Sequence, residues 1–515
     1  MLARTGCRTA SRTERVRIYV ESTTASLQIP FLISNWIAGR DAGASDAQWV
    51  EKRDPATGVV CSHVVRSDAD AVAQAVAAAA AVQSTWAERP GVQRGLVLHE
   101  IVRVMEARRD QLAAVVALET GKSLKDAQGE VGGAIQLGLF FASESQRLYG
   151  RTTTSGTPHR QAMTVREPIG VAGLIVPANT PVANIAWKVF PALVCGNTVV
   201  LKASEDAPAT AWLFARCTDE AGLPPGVLNV VQGLGAEAGA ALVAHPDVGV
   251  VSFTGSTRVG RDIQRVAGDR FARVSLELGG KNAFVVCDDA DLDEAVRWAT
   301  LSAFSNAGQR CASASRLLVF DGVYDAFRAQ LLNRVHSLRV GPADDDDFGP
   351  VINERQLQSM IAAVERAVAG GARLLAGGHR LSGPAHADGY YMAPTLLEDV
   401  GPDAPLSCEE VFGPVTALYR VSGLREAIAL ANRSPYGLTA CIHTTSVDRA
   451  WTFCRQVQSG VAVVNAGTYG SEPHMPFGGV RQSGNGTREP GTEALDVYSS
   501  LKDIYMNVDP RRAGA

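Results

Sequence analysis

Between Val171 and Glu277 the chain alternates short, nearly unbroken apolar runs with segments whose apolar positions recur at helical spacing. The runs VAGLIVP, NTVVLKA, GVLNVVQG, VGVVSFTG and RVSLELGG are rich in Val, Ile and Leu, as expected of parallel strands covered on both faces. Helices are predicted to begin near Pro181, Pro208, Ala236 and Thr257, so the loops after the strands open toward one edge, where open α/β sheets bind ligands. A second alternating region, from about Ala283 to Val464, predicts strands at AFVVC, RLLVF, VTALYRV, TACIHT and VAVVN and reads as a second α/β domain. Upstream, Ser67 to Ala87 opens with a Ser-x-x-Asp capping pattern and continues as an Ala-rich helix, followed by a second helix from Val92 to Leu118. Two outlying segments, QAMTVREP and ALDVYSSLKDIYMNV, have strand spacing but too little apolar surface for a core of their own. Their expected fate is pairing with another subunit.

Composition narrows the function classes. A chain of 515 residues implies about two to four folding units. A net charge of -4 supplies no field to recruit nucleic acid or anionic lipid, which leaves a small molecule as the expected partner. No apolar stretch reaches membrane-spanning length. Nine cysteines are scattered without a CxxC pair, which argues against a disulfide framework or a metal site and for a reducing compartment, the cytoplasm. The first residues carry Arg4, Arg8, Arg12, Arg15 and Arg17, so residues 1–19 read as a disordered extension, with organellar import as the alternative. The acidic run Asp344 to Asp347 reads as a solvated loop.

Cys311 sits in SNAGQRCAS, where Gly308 and small neighbours allow backbone amides to approach a bound oxygen and Arg310 adds positive charge that favours thiolate. On local grounds alone a buried, inert thiol is the plainer reading. Glu277 stands at a strand end beside a glycine pair, either as a functional carboxylate or as a salt-bridged surface residue. Asn179, in IVPANTPV, follows another strand and offers an amide that can donate to an oxyanion; on local grounds it is equally an Asn in a Pro-bounded turn. Gly255 and Ser256 of FTGSTRVG lie at a strand-to-helix junction suited to phosphate, although a lone glycine turn needs no ligand.

Taken together, ETGK (Glu119 to Lys122), VPANTP, AWKVFPAL, GNTVVLKASE, GLPPGVLNVVQG, FTGSTRVG, ELGGKN, GQRC, EEVFGPV and PFGGVRQSGNG, in this order, resemble the hydrolytic, non-acylating NAD(P)-dependent aldehyde dehydrogenase superfamily over roughly Phe31 to Val508. The resemblance implies that Cys311 attacks the aldehyde carbon, that the Asn179 side chain and the Cys311 amide hold the oxyanion, that hydride leaves for the nicotinamide, and that Glu277 activates the water that hydrolyses the thioester. Lys188 matches a lysine that supports this site. By the same resemblance Lys202 and Glu205 hold the adenosine ribose, Gly255 and Ser256 approach the pyrophosphate, and Glu410 and Phe412 fix the nicotinamide ribose and ring. Glu205 prefers ribose hydroxyls to a 2′-phosphate, so NAD is favoured and NADP is the alternative.

Where the superfamily commonly has Trp-Asn-Phe, this chain has Ala178, Asn179 and Thr180, which implies a wider or more polar pocket. Trp187 stands where relatives that oxidise short carboxylated semialdehydes often carry arginine, favouring an uncharged aliphatic or aromatic aldehyde. Arg310 keeps a carboxylated or sugar-acid semialdehyde open, and Tyr469, Glu472, His474, Met475 and Phe477 are expected at the pocket mouth. A coenzyme A-acylating enzyme and a silent binding protein are the readings from other classes; acylating relatives generally lack the glutamate seen here as Glu277. The expected architecture is α/β, aldehyde dehydrogenase-like: a Rossmann-type cofactor domain (20–148 and 168–276), an α/β catalytic domain (277–480) and a small oligomerisation β-extension (149–167 and 481–508) in a homodimer or homotetramer.

Overall fold

In a computed structural model, residues 15–18, 27–43, 48–386 and 388–513 are described. The apolar runs of the first region fold as the strands Val171–Ile175, Thr198–Lys202, Leu228–Val231, Val248–Thr254 and Arg273–Glu277. All five are parallel, and the antiparallel pieces Asn35–Ile37 and Arg40–Ala42 complete a seven-stranded sheet. From Val171–Ile175 the chain winds outward through Thr198–Lys202 and Leu228–Val231, then returns to the other flank of the same strand with Val248–Thr254. This reversal is a topological switch point, and the loops after its two central strands diverge to leave a crevice. Those loops carry Asn179 and the Gly255–Ser256 pair.

A second seven-stranded sheet has the order Arg373–Ala376, Thr395–Glu398, Val415–Val421, Ala314–Phe320, Asn282–Val286, Thr439–His443, Val461–Val464, and is parallel except for its first member. Each sheet is backed by its own apolar core, one around Phe141, Phe190 and Phe214, the other around Phe284, Phe327 and Phe453. At about 1.5–3 kcal/mol for each fully buried large side chain, such cores outweigh any single surface contact. The outlying segments pair with each other within the chain: Arg160–Pro168 runs antiparallel along its whole length with Ser499–Asn507, and Thr152–Thr154 adds a third strand.

Several local expectations are corrected. The first helix, Ala69–Glu88, is capped by Asp68, whose side chain accepts from the Ala71 amide, while Ser67 Oγ donates to Asn35 Oδ1 at 3.0 Å. The single helix expected from Val92 to Leu118 is two, Gly91–Ala107 and Arg109–Thr120, meeting at Arg108 (φ -108°, ψ 16°). Each half turns its own apolar residues, Val104 and Met105 or Leu112 and Ala113, fully inward. The segment ALDVY is helical, Ala494–Tyr498, because Leu495, Val497 and Tyr498 are buried in the first core. Residues from Arg481 to Tyr498 therefore pack against the two large sheets instead of standing out with the terminal strand. Within the N-terminal stretch expected to be disordered, Arg15–Ile18 pair antiparallel with Leu27–Pro30; residues 1–14 and 19 lie outside the described residues. No helix among the described residues is long and apolar enough to cross a membrane.

Candidate active site

A cleft of about 710 Å³ opens where the carboxyl ends of the first large sheet face the amino ends of the second. Asn179, Thr180 and Trp187 line it from the first switch-point loop and the helix Pro181–Val194, and Gly255 and Ser256 from the second loop. Glu277, Arg310, Cys311, Glu410, Phe412, Tyr469 and Phe477 complete the wall. Lys188, Lys202, Glu205 and His474 do not line it; His474 is exposed on the outer loop, 3.4 Å from Glu472. Another cavity, of about 570 Å³, holds none of these residues, and its arginines are paired, Arg328 and Arg373 with Glu398, Arg420 with Asp325 and Arg433 with Asp403.

The loop before Cys311 is strained. Asn306 (φ 55°), Ala307 (φ 53°) and Gly308 (φ 66°) are left-handed in succession, at a cost of about 1–3 kcal/mol for each residue that is not glycine. Gly308 is required, since a Cβ there would lie 2.0 Å from the Gly413 carbonyl. Hydrogen bonds hold the conformation: Asn282 Nδ2 donates to Cys311 O at 2.8 Å, Ser313 Oγ to Gly308 O at 3.0 Å and Thr468 Oγ1 to Ala312 O at 2.6 Å. Asn179 Nδ2 donates to Gln309 O at 2.8 Å. A primary amide carries two N–H groups, so a second donor remains for an oxygen in the cleft.

Burial pushes the Cys311 thiol up to about 12; the charges of Glu410 and Glu277 act in the same direction, and the Ala312 amide and Arg310 oppose them less strongly. Although its surface touches the cleft, protein surrounds the sulfur closely enough for desolvation to dominate. The expectation that Arg310 favours thiolate is thereby corrected: its effect has the expected sign but is outweighed. Arg310 instead stacks over the Tyr469 ring at 5.0 Å, and its Nε is buried with no hydrogen-bond partner.

Glu277 is 4% exposed, and neither carboxylate oxygen has a hydrogen-bond partner. Burial raises its pKa well above the carboxylate range, the charge of Glu489 adds to this, and Lys188 and Arg488 oppose it. Glu277 lies next to Gly478, where a Cβ would lie 2.6 Å from Glu277 Oε1. Behind it, Lys188 Nζ donates to Glu489 Oε2 at 2.6 Å and to Ser252 Oγ at 2.7 Å, with both charged side chains fully buried. Tyr498 donates to Glu489 Oε1 at 2.7 Å. Glu489 and Tyr498 escaped the sequence reading because no local pattern marks Glu489 as the partner of a residue 301 positions away.

The remaining features suit a dinucleotide. A Cβ at Gly255 would lie 2.4 Å from the Phe253 ring, and Ser256 caps the twelve-residue helix Thr257–Gly268, presenting an open helix N-terminus to the cleft. Lys202 Nζ lies 3.0 Å from Glu205 Oε2, at the end of the neighbouring strand. Glu410 Oε1 accepts from the Gly280 amide at 3.0 Å, and a Cβ at Gly279 would come within 2.2 Å of Glu410 Oε2, so the glycine pair makes room for this carboxylate. Burial raises the Glu410 pKa to about 7.

Comparisons with known proteins agree with this arrangement. The model of the aldehyde dehydrogenase family matches residues 42–504. The chain is 41% identical over 474 residues to the alpha-ketoglutarate semialdehyde dehydrogenase of Haloferax volcanii, covering 92% of this chain and 98% of that protein. It is 36% identical over 475 residues to the alpha-ketoglutaric semialdehyde dehydrogenase of Bacillus subtilis, covering 92% and 97%. Among solved structures, betaine aldehyde dehydrogenase from Staphylococcus aureus in complex with NAD+ superposes with a TM-score of 0.91 at 30% identity, covering 93% of this chain and 95% of that one. On the strength of the match across nearly the whole chain, this protein belongs to the aldehyde dehydrogenase family and is an oxidoreductase acting on the aldehyde group.

Proposed function

We propose that the chain oxidises an aldehyde to a carboxylic acid with NAD, that Cys311 is the nucleophile, and that the substrate is a semialdehyde carrying a second, anionic group. The observation that carries the chemistry is the convergence on one cleft of Asn179 from the loop after Val171–Ile175, Glu277 from the end of Arg273–Glu277 and Cys311 from the loop before Ala314–Phe320. Cys311, having lost its thiol proton to solvent, adds as the thiolate to the aldehyde carbon, and the oxyanion that forms is stabilised by the free N–H of Asn179 and the Cys311 amide. NAD, when bound, supplies the hydride acceptor that turns this adduct into a thioester. Ser256 and the helix N-terminus behind it suit the pyrophosphate, Lys202 and Glu205 the adenosine ribose, and Glu410 and Phe412 the nicotinamide end. A carboxylate at Glu205 repels a 2′-phosphate, which favours NAD over NADP.

Glu277, once ionised, takes a proton from the water that attacks the thioester. Its raised pKa makes it a strong base, and the cations of Lys188 and Arg488 limit the cost of its ionisation. Lys188 thus works through charge from behind Glu277. A base in this position supports hydrolysis over transfer to coenzyme A.

Arg310 supports the choice of substrate. It lines the cleft beside Cys311 and makes no ion pair among the described residues, so its guanidinium offers a charge-assisted bond to a distal carboxylate. The two semialdehyde dehydrogenases to which the chain is similar accord with this. The edge-to-face pair of Trp187 and Phe477, with centroids 5.4 Å apart, supports a second reading, an uncharged aliphatic or aromatic aldehyde. NADH formation across carboxylated, aliphatic and aromatic aldehydes of matched length distinguishes them. A kcat/KM at least about tenfold higher for carboxylated substrates is expected, from one charge-assisted hydrogen bond; equal or lower values would reject the anionic substrate.

The strand Ser499–Asn507 leaves Leu501, Tyr505 and Met506 exposed, and Val461–Val464 ends the second large sheet. We propose that these edges meet in a homodimer or homotetramer. A monomeric mass in solution would reject it.

A further inference from the structure

The ETGK segment takes no part in the chemistry above, yet its two charged side chains are buried and committed. The helix Arg109–Thr120 ends in this segment on Gly121, left-handed at φ 74°, where a Cβ would lie 2.4 Å from Pro350 Cγ. Glu119, fully buried, accepts from the Ala209 amide at 2.7 Å, the Thr210 amide at 2.8 Å and Thr210 Oγ1 at 2.7 Å. These amides open the helix Pro208–Glu220, directly after the loop that bears Glu205. Three residues later, Lys122 Nζ donates to the Asn179 carbonyl at 2.9 Å and to Glu130 Oε2 at 2.6 Å. Glu130 Oε1 in turn accepts from the Val182 amide at 3.0 Å and the Ala183 amide at 3.3 Å, the first turn of the helix Pro181–Val194. Only 5% of either side chain of the Lys122–Glu130 pair is exposed.

One turn of chain therefore closes two helix N-termini. The helix closed through Glu119 follows the loop that would hold the ribose, and the helix closed through Glu130 follows the loop that would hold the oxyanion. Asn179 is the point of convergence: its carbonyl is gripped by Lys122, and by Asn306 Nδ2 at 3.3 Å, while its side chain points toward Gln309 and the cleft. An oxyanion donor works only when held at the position the oxygen will take, and a misplacement of about 1 Å costs about a hundredfold in rate. Fixing the backbone of Asn179 with an ammonium group, inside an ion pair that also anchors the next helix, restrains the loop on both sides of the donor.

We infer that Lys122, paired with Glu130, is a positioning residue for Asn179, and that the ETGK turn braces the oxyanion loop and the cofactor loop separately through its two ends. This rests on the reading of Asn179 as the oxyanion donor. Lys122→Met alone would strand the Glu130 carboxylate, so the test is the double variant Lys122→Met/Glu130→Gln, in which the glutamine oxygen still accepts from Val182 and Ala183. Two activities are compared, aldehyde oxidation with NAD and cofactor-free hydrolysis of p-nitrophenyl acetate, which acylates Cys311 and uses the same oxyanion donors without hydride transfer.

The double variant is expected to lower both turnover numbers about 10–100-fold while KM for NAD stays within about twofold, the signature of a misplaced transition-state donor. Glu119→Gln is expected to do the reverse, raising KM for NAD several-fold and leaving ester hydrolysis within about twofold. Asn179→Ala, assayed alongside, keeps the two levels apart. If it leaves ester hydrolysis intact, the oxyanion assignment itself falls; if it abolishes ester hydrolysis and the double variant does not lower it, only the positioning role is overturned. An equal rise in KM for NAD in both the double variant and Glu119→Gln would also overturn the inference, since the two ends would then act as one structural element. Should the double variant not fold, Lys122→Gln, which removes the ammonium and leaves an amide to face Glu130, carries the test: a drop in ester hydrolysis at unchanged KM for NAD supports the inference, and an unchanged rate overturns it.

Discussion

Burial makes Cys311 a slow nucleophile in the free protein, and the pH dependence of its alkylation tests this quantitatively. The thiol is pushed from the usual 9.0 up to about 12. At pH 8 an unperturbed thiol is about one-tenth thiolate, and a thiol of pKa 12 about one part in ten thousand, a deficit of about a thousandfold. A more basic thiolate is more nucleophilic, with a Brønsted slope of about 0.4–0.5, which recovers about twentyfold, so inactivation should run about fiftyfold slower than for an exposed cysteine. The assay is inactivation of the cofactor-free protein by iodoacetamide between pH 7 and 10, with the modified peptide identified by mass. The rate should rise about tenfold per pH unit without a plateau. Glu410→Gln removes a charge that raises the thiol; because Glu410 itself titrates at about 7, the variant should react faster than wild type above that pH and much the same below it. A plateau below pH 9, or a Glu410→Gln rate slower than wild type at pH 9, would refute this account of the thiol.

Other outcomes follow from the same geometry. Arg310→Met should lower kcat/KM about 10–100-fold for carboxylated aldehydes and leave uncharged ones within about threefold, the weight of one charge-assisted hydrogen bond; an equal loss for both would show that Arg310 is not the anion site. Lys188→Met leaves Glu489 buried and uncompensated, which should cost about 3–5 kcal/mol in a denaturant titration, whereas a change under about 1 kcal/mol would contradict the buried pair. Glu205→Thr should raise kcat/KM for NADP relative to NAD, measured at matched concentrations; an unchanged ratio would remove Glu205 from cofactor choice.

The parallel strands of both large sheets other than Thr395–Glu398 are legible in the sequence because each is a short Val/Ile/Leu-rich run, a signal confined to its own segment. Pro181, Pro208 and Thr257 mark helix starts for equally local reasons, fixed φ or a preceding cap. What escapes is set by distant partners. Thr395–Glu398 is a strand because Val415–Val421 pairs with it, and Arg108 breaks a helical run that has neither Gly nor Pro near the break because two apolar faces must turn inward. At the site, the residue types around Cys311 are readable, but the left-handed run from Asn306 to Gly308 is not, since Asn and Ala carry no signature of it. Arg310 illustrates the limit most plainly: its charge is in the sequence, but the desolvation that outweighs that charge comes from the whole fold.

The central claim is that a thioester forms on Cys311 and that Glu277 governs its hydrolysis. Glu277→Gln should give a single burst of NADH with an aldehyde substrate and then stall, and intact-protein mass spectrometry of the stalled enzyme should show one acyl group, localised to the Cys311 peptide and absent from Glu277→Gln/Cys311→Ala. Steady turnover of Glu277→Gln at the wild-type rate, or an acyl group on any other residue, would contradict the account.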